Sequence, residues 1–292
     1  MKIGIIGGSG LYDMEGLQHI DYKELTTPFG PPSDVYVSGR LNGREVYFLP
    51  RHGRGHRLLP SEINYKANIF GFKMLGVERV LSVSAVGSLK EEIRPRDIML
   101  PDQYFDRTKG SLKHTFFGNG IVAHISFAEP ACAELRGLVA AAARNVIDRQ
   151  PEKTDTRVNE SGTYVNMEGP AFSTRAESRV YRGLGFDVIG MTSLPEAKLC
   201  REAEICYQAL AMVTDYDCWH ESEESVTVDM VVGHLMANTR LAQKILRELV
   251  PNIPEKRECN CANALQHAVL TSKDSILNET RKTLGPIISK YL

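Results

Sequence analysis

The chain has 292 residues, 42% of them hydrophobic and 24% charged, with 35 Lys and Arg against 36 Asp and Glu. That length fits one large domain or two small ones with room for a real core, and the ordinary composition excludes a disordered, collagen-like or low-complexity chain. A formal net charge of -1 offers no basic footprint for nucleic acid, and no apolar run approaches the ~18 residues that span a bilayer.

The first residues, Lys2–Ile6, read as a strand entering a turn at Gly7-Gly8-Ser9-Gly10 and not as a secretion signal, so a cytoplasmic protein is expected. Val35–Val37 and Val46–Leu49 are short alternating strands. Ser61 stands where it would cap a helix carrying Ile63, Ala67, Phe70 and Met74 on one face, closed by Gly76. Arg79–Ser84 is an apolar run ending at Ala85-Val86-Gly87. Leu135, Leu138, Val139, Ala142 and Val146 keep the three-and-four spacing of a helix, as do Val231, Leu235, Asn238, Ala242, Ile245 and Leu249. Between these helices, Val188–Met191 and Ala209–Thr214 repeat the strand form. No repeat, linker or composition break divides the chain, so a single domain over residues 1–292 is expected, with 259–292 as a C-terminal helical segment. Strands alternating with helices imply an α/β layered fold around a parallel or mixed sheet.

Six cysteines are too few for a disulfide scaffold. Cys132, Cys200, Cys206 and Cys218 are scattered along the chain and expected to be packed. Cys259-Asn260-Cys261 has only His267 near it in sequence, short of the four ligands of a zinc site. Two unpaired thiols and no metal are therefore expected; a disulfide stays open for a thermophile.

The chemically able residues gather where strand runs end, and ligands of open α/β sheets bind outside the carboxyl ends of strands. Gly7-Gly8-Ser9-Gly10 would let backbone N–H groups and one hydroxyl approach an anion, or serve as a plain turn. Arg51-His52-Gly53-Arg54-Gly55-His56 joins two guanidinium forks to glycines and favours an anion site over a solvated basic turn. Ser82–Ser88 is small enough for close ligand approach or for close packing. Phe172 at a loop offers a stacking face for a planar ring, or is a core residue. Thr192 stands near a helix start, where N–H groups favour anions, and Met191 would be an apolar floor or core. In extended chain, Asp215 and Asp217 point to one side and could together hold ring nitrogens and an amino group, or act as a turn pair.

In this order, the segments resemble the methylthioadenosine phosphorylases of the trimeric purine nucleoside phosphorylase family. The carrying motifs are Gly7-Gly8-Ser9-Gly10-Leu11, Arg51-His52-Gly53 with His56 and Pro60, Gly87-Ser88-Leu89, Glu168-Gly169-Pro170 with Phe172-Ser173, Met191-Thr192 with Pro195-Glu196, and Thr214-Asp215-Tyr216-Asp217-Cys218-Trp219. The resemblance runs from Lys2 to about Leu249. It implies a central mixed β-sheet, a distorted barrel, flanked by helices, in a homotrimer or hexamer. It implies phosphate at Ser9, Arg51, His52, Ser84, Ala85 and Thr192; Ser9 replaces the Thr of many relatives and keeps the hydroxyl. Phe172, Ser173 and Met191 would lie against purine and ribose, and Asp215 and Asp217 would meet N7 and the 6-amino group. Val228, Val231 and Val232 would surround a methylthio group, with His124 reaching in from a neighbouring subunit. The implied reaction is phosphorolysis of the nucleoside, with Asp215 assisting departure of the base, no cofactor, and inorganic phosphate as co-substrate. Relatives preferring 6-oxopurines carry Asn at the Asp215 position, so adenine is the expected base. A dinucleotide-dependent oxidoreductase would need an intact glycine fingerprint, which is absent; a non-catalytic nucleoside-binding module would not need the phosphate-side residues.

Overall fold

The computed structural model describes residues 1–11, 13, 15–110, 114–150, 155–220 and 228–292; for Ser9 and residues 228–232 it describes the backbone alone. Its strands are β1 (Lys2–Gly7), β2 (Leu17–Lys23), β3 (Tyr36–Leu41), β4 (Arg44–Pro50), β5 (Val77–Ser88), β6 (Ile98–Met99), β7 (Gln103–Arg107), β8 (Val158–Asn159), β9 (Thr163–Met167), β10 (Val188–Gly190) and β11 (Cys206–Tyr216). Its α-helices are α1 (Tyr65–Met74), α2 (Ala133–Asp148), α3 (Arg175–Gly183), α4 (Ser193–Glu202), α5 (Val228–Asn252), α6 (Asn278–Thr283) and α7 (Gly285–Ile288). The expected mixed sheet flanked by helices is what the chain forms.

The sheet runs β2-β3-β4-β1-β5-β10-β9-β7; β11 branches from β5 and carries β6, and β6 carries β8. Four strands at its centre, β4, β1, β5 and β11, are parallel neighbours. The sheet forks at β5. The first half of β5 lies between β1 and β11, whereas Gly87 and Ser88 take antiparallel β10 on the side that β1 has left. One long strand thus borders three others, and its carboxyl half lies in the middle of the fork.

Period-two alternation distributes the core over both sheet faces. Ile3, Ile5, Val46, Phe48, Leu81 and Val83 pack with α2 and α5. Ile6, Tyr47, Leu49, Val77 and Val80 pack with α1, α4 and the C-terminal segment. Burial of both faces explains why these strands read as nearly continuous apolar runs. Among the described residues, no helix is long and apolar enough to cross a membrane.

One local expectation is corrected and two gain detail. Asn64, not Ser61, caps α1, because its side chain accepts from the Ala67 N–H at 3.1 Å; Met74 faces outward. The helical segment 259–292 is broken into pieces. It is a series of short helical turns with one bridge between Ala123 and Val269, and Leu265, Ala268, Ile276, Leu284, Ile287 and Ile288 enter the core beside α1. Finally, Cys132 and Cys206 are packed, as expected, but against one another. The Cys132 N–H donates to Tyr207 O at 2.9 Å, which sets the start of α2 against the start of β11, and both thiols meet Cys259 and Cys261 there.

Candidate active site

The anion end is built where β1 and β4 end beside the middle of β5. Gly7 of β1 is paired with Pro50 of β4, and Ile6 with Ser82 of β5. The Arg51 N–H donates to Gly7 O at 2.9 Å, so the chain turns immediately above the sheet edge. The Arg51 side chain then folds inward and is 3% exposed. Its Nε donates to Glu196 Oε1 at 2.6 Å, Nη1 to Val83 O at 2.9 Å, and Nη2 to Ser82 Oγ at 2.7 Å with a longer 3.4 Å contact to Glu196 Oε2. Four of its five N–H groups are thus aimed at protein oxygens. The fork expected for phosphate is mostly engaged by Glu196, Ser82 and Val83 together; Arg51 brings an anion one further N–H and a fixed charge. Burial opposes that charge and Glu196 more than restores it. Glu196 Oε2 also accepts from Ser82 Oγ at 2.6 Å and Tyr207 Oη at 2.9 Å, so the carboxylate is itself clamped.

Glu196 reaches Arg51 from the first turn of α4, whose N-cap is Thr192. The Thr192 side chain makes no capping bond. Its hydroxyl is thus not spent on the N–H groups of the helix end, a place that favours anions. On β5, Ser84 is half-buried and Ala85 exposed within a strand otherwise largely buried. Ser84 Oγ has no hydrogen-bond partner among the described residues. His52 Nδ1 lies 2.8 Å from Leu58 O. A carbonyl only accepts, so Nδ1 carries the proton and Nε2 is left as an acceptor. Burial, then the neighbouring Arg51 charge, push the His52 pKa down to about 4, and the ring stacks on His56 with centroids 4.2 Å apart.

The acidic end lies farther along the same strand. In β11, Met212 faces Ala85 and Val213 faces Val86; a bulge follows, and Asp215 faces Gly87. Asp215 is 8% exposed, and its Oδ2 accepts from Thr214 Oγ1 at 2.7 Å. Gly87 is required here: a Cβ would stand 2.9 Å from Asp215 Oδ1 and 3.4 Å from Asp217 Cβ. The two carboxylates therefore flank one glycine. Asp217 is held by its own N–H on Ser88 O at 3.0 Å, and its buried Oδ2 has no partner among the described residues. Burial pushes the Asp217 carboxyl above the usual carboxylate range. Cys218 Sγ donates to Ser173 O at 3.2 Å and draws the 172–174 loop to this end, where Phe172 is 56% exposed and shows a flat face.

Met191 stands between the two ends along the chain, after β10, whose Ile189 pairs with Gly87, and before Thr192. Asn166 Nδ2 donates to Met191 O at 3.2 Å while its Oδ1 accepts from Leu194 N–H at 3.0 Å, which ties β9 to the start of α4. Gly169, at φ 67°, packs so tightly that a Cβ would stand 2.5 Å from Met191 Sδ. Met191 also lines an adjoining open cleft with Glu168, Met167, Tyr65 and Pro60.

One strand thus carries both ends. Ser84, beside Arg51, and Gly87, beside Asp215, are three residues apart, about 10 Å of extended chain. That length suits an oxyanion beneath a sugar whose base reaches the carboxylates. The structure brings together Arg51, His52, Ser84, Ala85 and Thr192 at one end and Ser173, Asp215 and Asp217 at the other, with Met191 between. It does not bring His124 to them: His124 is exposed, its N–H donates to Ala268 O at 2.8 Å, and no described contact joins it to these residues. The side chains of Ser9, Val228, Val231 and Val232 lie outside the described residues. Sequence reasoning gave no supporting role to Glu196, Ser82 and Thr214, which stand in its motifs, nor to Tyr207 and Asn166. A glutamate four residues past a helix start and a serine inside an apolar strand were the available signals.

A sequence profile of the Phosphorylase superfamily matches residues 2–251. An S-methyl-5′-thioadenosine phosphorylase of Geobacter sulfurreducens is 54% identical over 290 residues, 99% of each chain. One of Koribacter versatilis is 55% identical over 99% of this chain and 96% of its own. Among solved structures, a methylthioadenosine phosphorylase from an antarctic soil metagenomic library superposes with a TM-score of 0.92 at 47% identity, covering 98% of both chains. The Schistosoma mansoni enzyme in complex with adenine gives 0.85 at 37% identity, covering 94% of this chain and 99% of its own. The chain belongs to the phosphorylase superfamily, and within it to the methylthioadenosine phosphorylases.

Proposed function

We propose that this protein cleaves the N-glycosidic bond of 5′-methylthioadenosine with inorganic phosphate, giving adenine and 5-methylthioribose 1-phosphate with inversion. The observation that carries this reading is the strand β5, which meets Arg51 through Ser82 and Val83 and meets Asp215 at Gly87.

Phosphate sits under the sugar, held by Ser84 Oγ, the Ala85 backbone, Thr192 at the start of α4, His52, Ser9 and the remaining donor of Arg51. It attacks C1′ as the bond to the purine breaks. Positive charge grows on the ribose and electron density on the base. The phosphate anion stabilises the first. Asp215, at N7, delivers or holds the proton that stabilises the second, and Asp217 shares the proton inventory at that end. Alignment of the two reactants is worth up to about 7–11 kcal/mol of the barrier. Phe172 stacks on the purine, Ser173 meets its edge and Met191 lies under the ribose. Carboxylates accept from a 6-amino group and repel a 6-carbonyl, which selects adenine. The reaction needs neither a metal nor an organic cofactor, because the nucleophile is phosphate itself. We further propose a homotrimer in which His124 of one subunit completes the 5′ pocket of its neighbour, beside Val228, Val231 and Val232.

Comparison of methylthioadenosine, adenosine and inosine as substrates with phosphate tests the reading. Methylthioadenosine is expected to lead in kcat/KM, with adenosine accepted because an apolar pocket rejects an added hydroxyl only weakly. Preference for inosine would make the protein a 6-oxopurine nucleoside phosphorylase instead.

A further inference from the structure

Cys132, Cys206, Cys259 and Cys261 place their sulfurs within 4.8 Å of one another, three of the residues buried and Cys259 partly so. Cys206 and Cys259 are 3.4 Å apart, sulfur to sulfur. The cluster is remote from the cleft, since Cys206 opens β11 and Asp215 comes nine residues later, about 30 Å of strand. Buried cysteines often behave as small hydrophobes, and Cys200 does so, buried in the opposite core. Four sulfurs gathered within 4.8 Å of one another are another matter. A zinc ion with Zn–S bonds of about 2.3 Å draws its four sulfurs to roughly 3.8 Å from one another, which the observed cluster brackets. Soft thiolates in a tetrahedron select zinc over hard cations.

Positive potential faces the cluster from two sides. Cys132 is the N-cap of α2, where the helix end favours negative charge. Arg257 Nη1 stands 4.0 Å from Cys206 Sγ and is fixed by the Glu204 carbonyl at 2.8 Å. Glu134 Oε2 accepts from the N–H groups of Glu258 and Cys259, each at 2.8 Å, which orients the turn presenting two of the four sulfurs. Arg79 in turn holds Glu134 at 3.3 Å. Outer partners of this kind hold the ligands of metal sites in place.

We propose that Cys132, Cys206, Cys259 and Cys261 form a tetrathiolate zinc site that clamps the C-terminal segment to the start of β11 and to α2. Binding releases the four thiol protons to solvent and leaves a centre of net charge -2, which Arg257 partly offsets. Its role is structural: the clamp fixes where the chain passes from α5 to the opposite face, before Leu265 and Ala268 enter the core there.

The test uses the full chain purified anaerobically with reductant, stripped of metal, and titrated with Co²⁺ and Zn²⁺ alone. The expected result is one Co²⁺ per chain with thiolate-to-cobalt charge-transfer absorption and the intense visible bands of tetrahedral cobalt, displaced by zinc, and a Tm that rises by several degrees with zinc. The Cys259→Ser/Cys261→Ser chain should lose the charge-transfer bands, and Cys200→Ala should keep them. Should the double variant fail to fold, the titration of the unaltered chain decides alone. Absence of charge-transfer bands while all four thiols alkylate freely would overturn the proposal. So would peptide mapping that finds these cysteines in disulfides in the anaerobically prepared protein, or cobalt spectra unchanged in a folded double variant.

Discussion

Arg51 and Glu196 form a buried ion pair, Nε to Oε1 at 2.6 Å, with side chains 4% and 2% exposed. The pair joins the end of β4 to the first turn of α4, and so joins the arginine to Thr192. Removing one charge leaves the other buried and unpaired. Glu196→Gln should therefore cost about 3–5 kcal/mol of stability and should raise the KM for phosphate more than that for the nucleoside. Urea unfolding together with kinetics at varied phosphate checks both. An unchanged phosphate KM in a folded variant would remove Glu196 from the support of that end.

Gly87 answers to Asp215 in the same way. A methyl group there meets Asp215 Oδ1 at 2.9 Å and Ile189 Cγ2 at 3.3 Å, so the carboxylate must shift. Displacements of this order cost about 100-fold in rate. Gly87→Ala should lose about that much kcat/KM with a Tm near that of the parent, measured by steady-state kinetics and calorimetry.

His52 offers a bare Nε2 at neutral pH, because its Nδ1–H is on Leu58 O and its pKa is about 4. Hydrogen phosphate carries a hydroxyl that can donate to Nε2, whereas sulfate carries none. Sulfate should therefore compete poorly with phosphate at neutral pH and progressively better as the pH falls toward the His52 pKa. Inhibition constants for sulfate across that range check this, and a flat profile would count against the assigned tautomer.

Glu202 ends α4 and is held by Thr115 Oγ1 and the Phe116 N–H, both at 2.7 Å. Burial raises its pKa from 4.5 to about 7, against the pull of those bonds. The folded state therefore binds its proton more tightly than the unfolded chain. The resulting stability is fully present below pH 4.5 and lost as the pH rises through about 7. Glu202→Gln should remove that dependence, so its stability relative to the parent should improve between about pH 5 and about pH 8. Urea titrations at the two values measure it.

Much of the fold and the cleft was legible because the sheet is covered on both faces. Lys2–Ile6, Val46–Leu49, Arg79–Ser84 and Ala209–Thr214 stand out as apolar runs for that reason, and the polar residues after them fall at one edge. Side-chain partners across the fold were not legible. Nothing local says that Glu196 will find Arg51, or that Cys132 and Cys206 will meet Cys259 and Cys261, because those meetings follow from which strand ends lie side by side. The bulge after Val213 was also invisible, since it depends on the ladder between β11 and β5. The breaks within the C-terminal segment were not legible, because its core residues, from Leu265 to Ile288, keep no helical period.

The decisive measurement is product analysis from methylthioadenosine with and without inorganic phosphate, by chromatography and phosphorus NMR. With an oxyanion and two carboxylates gripping one nucleoside along β5, adenine should form only when phosphate is present, in step with the α-anomer of 5-methylthioribose 1-phosphate. Adenine released at the same rate in its absence, with free methylthioribose as the other product, would contradict that arrangement.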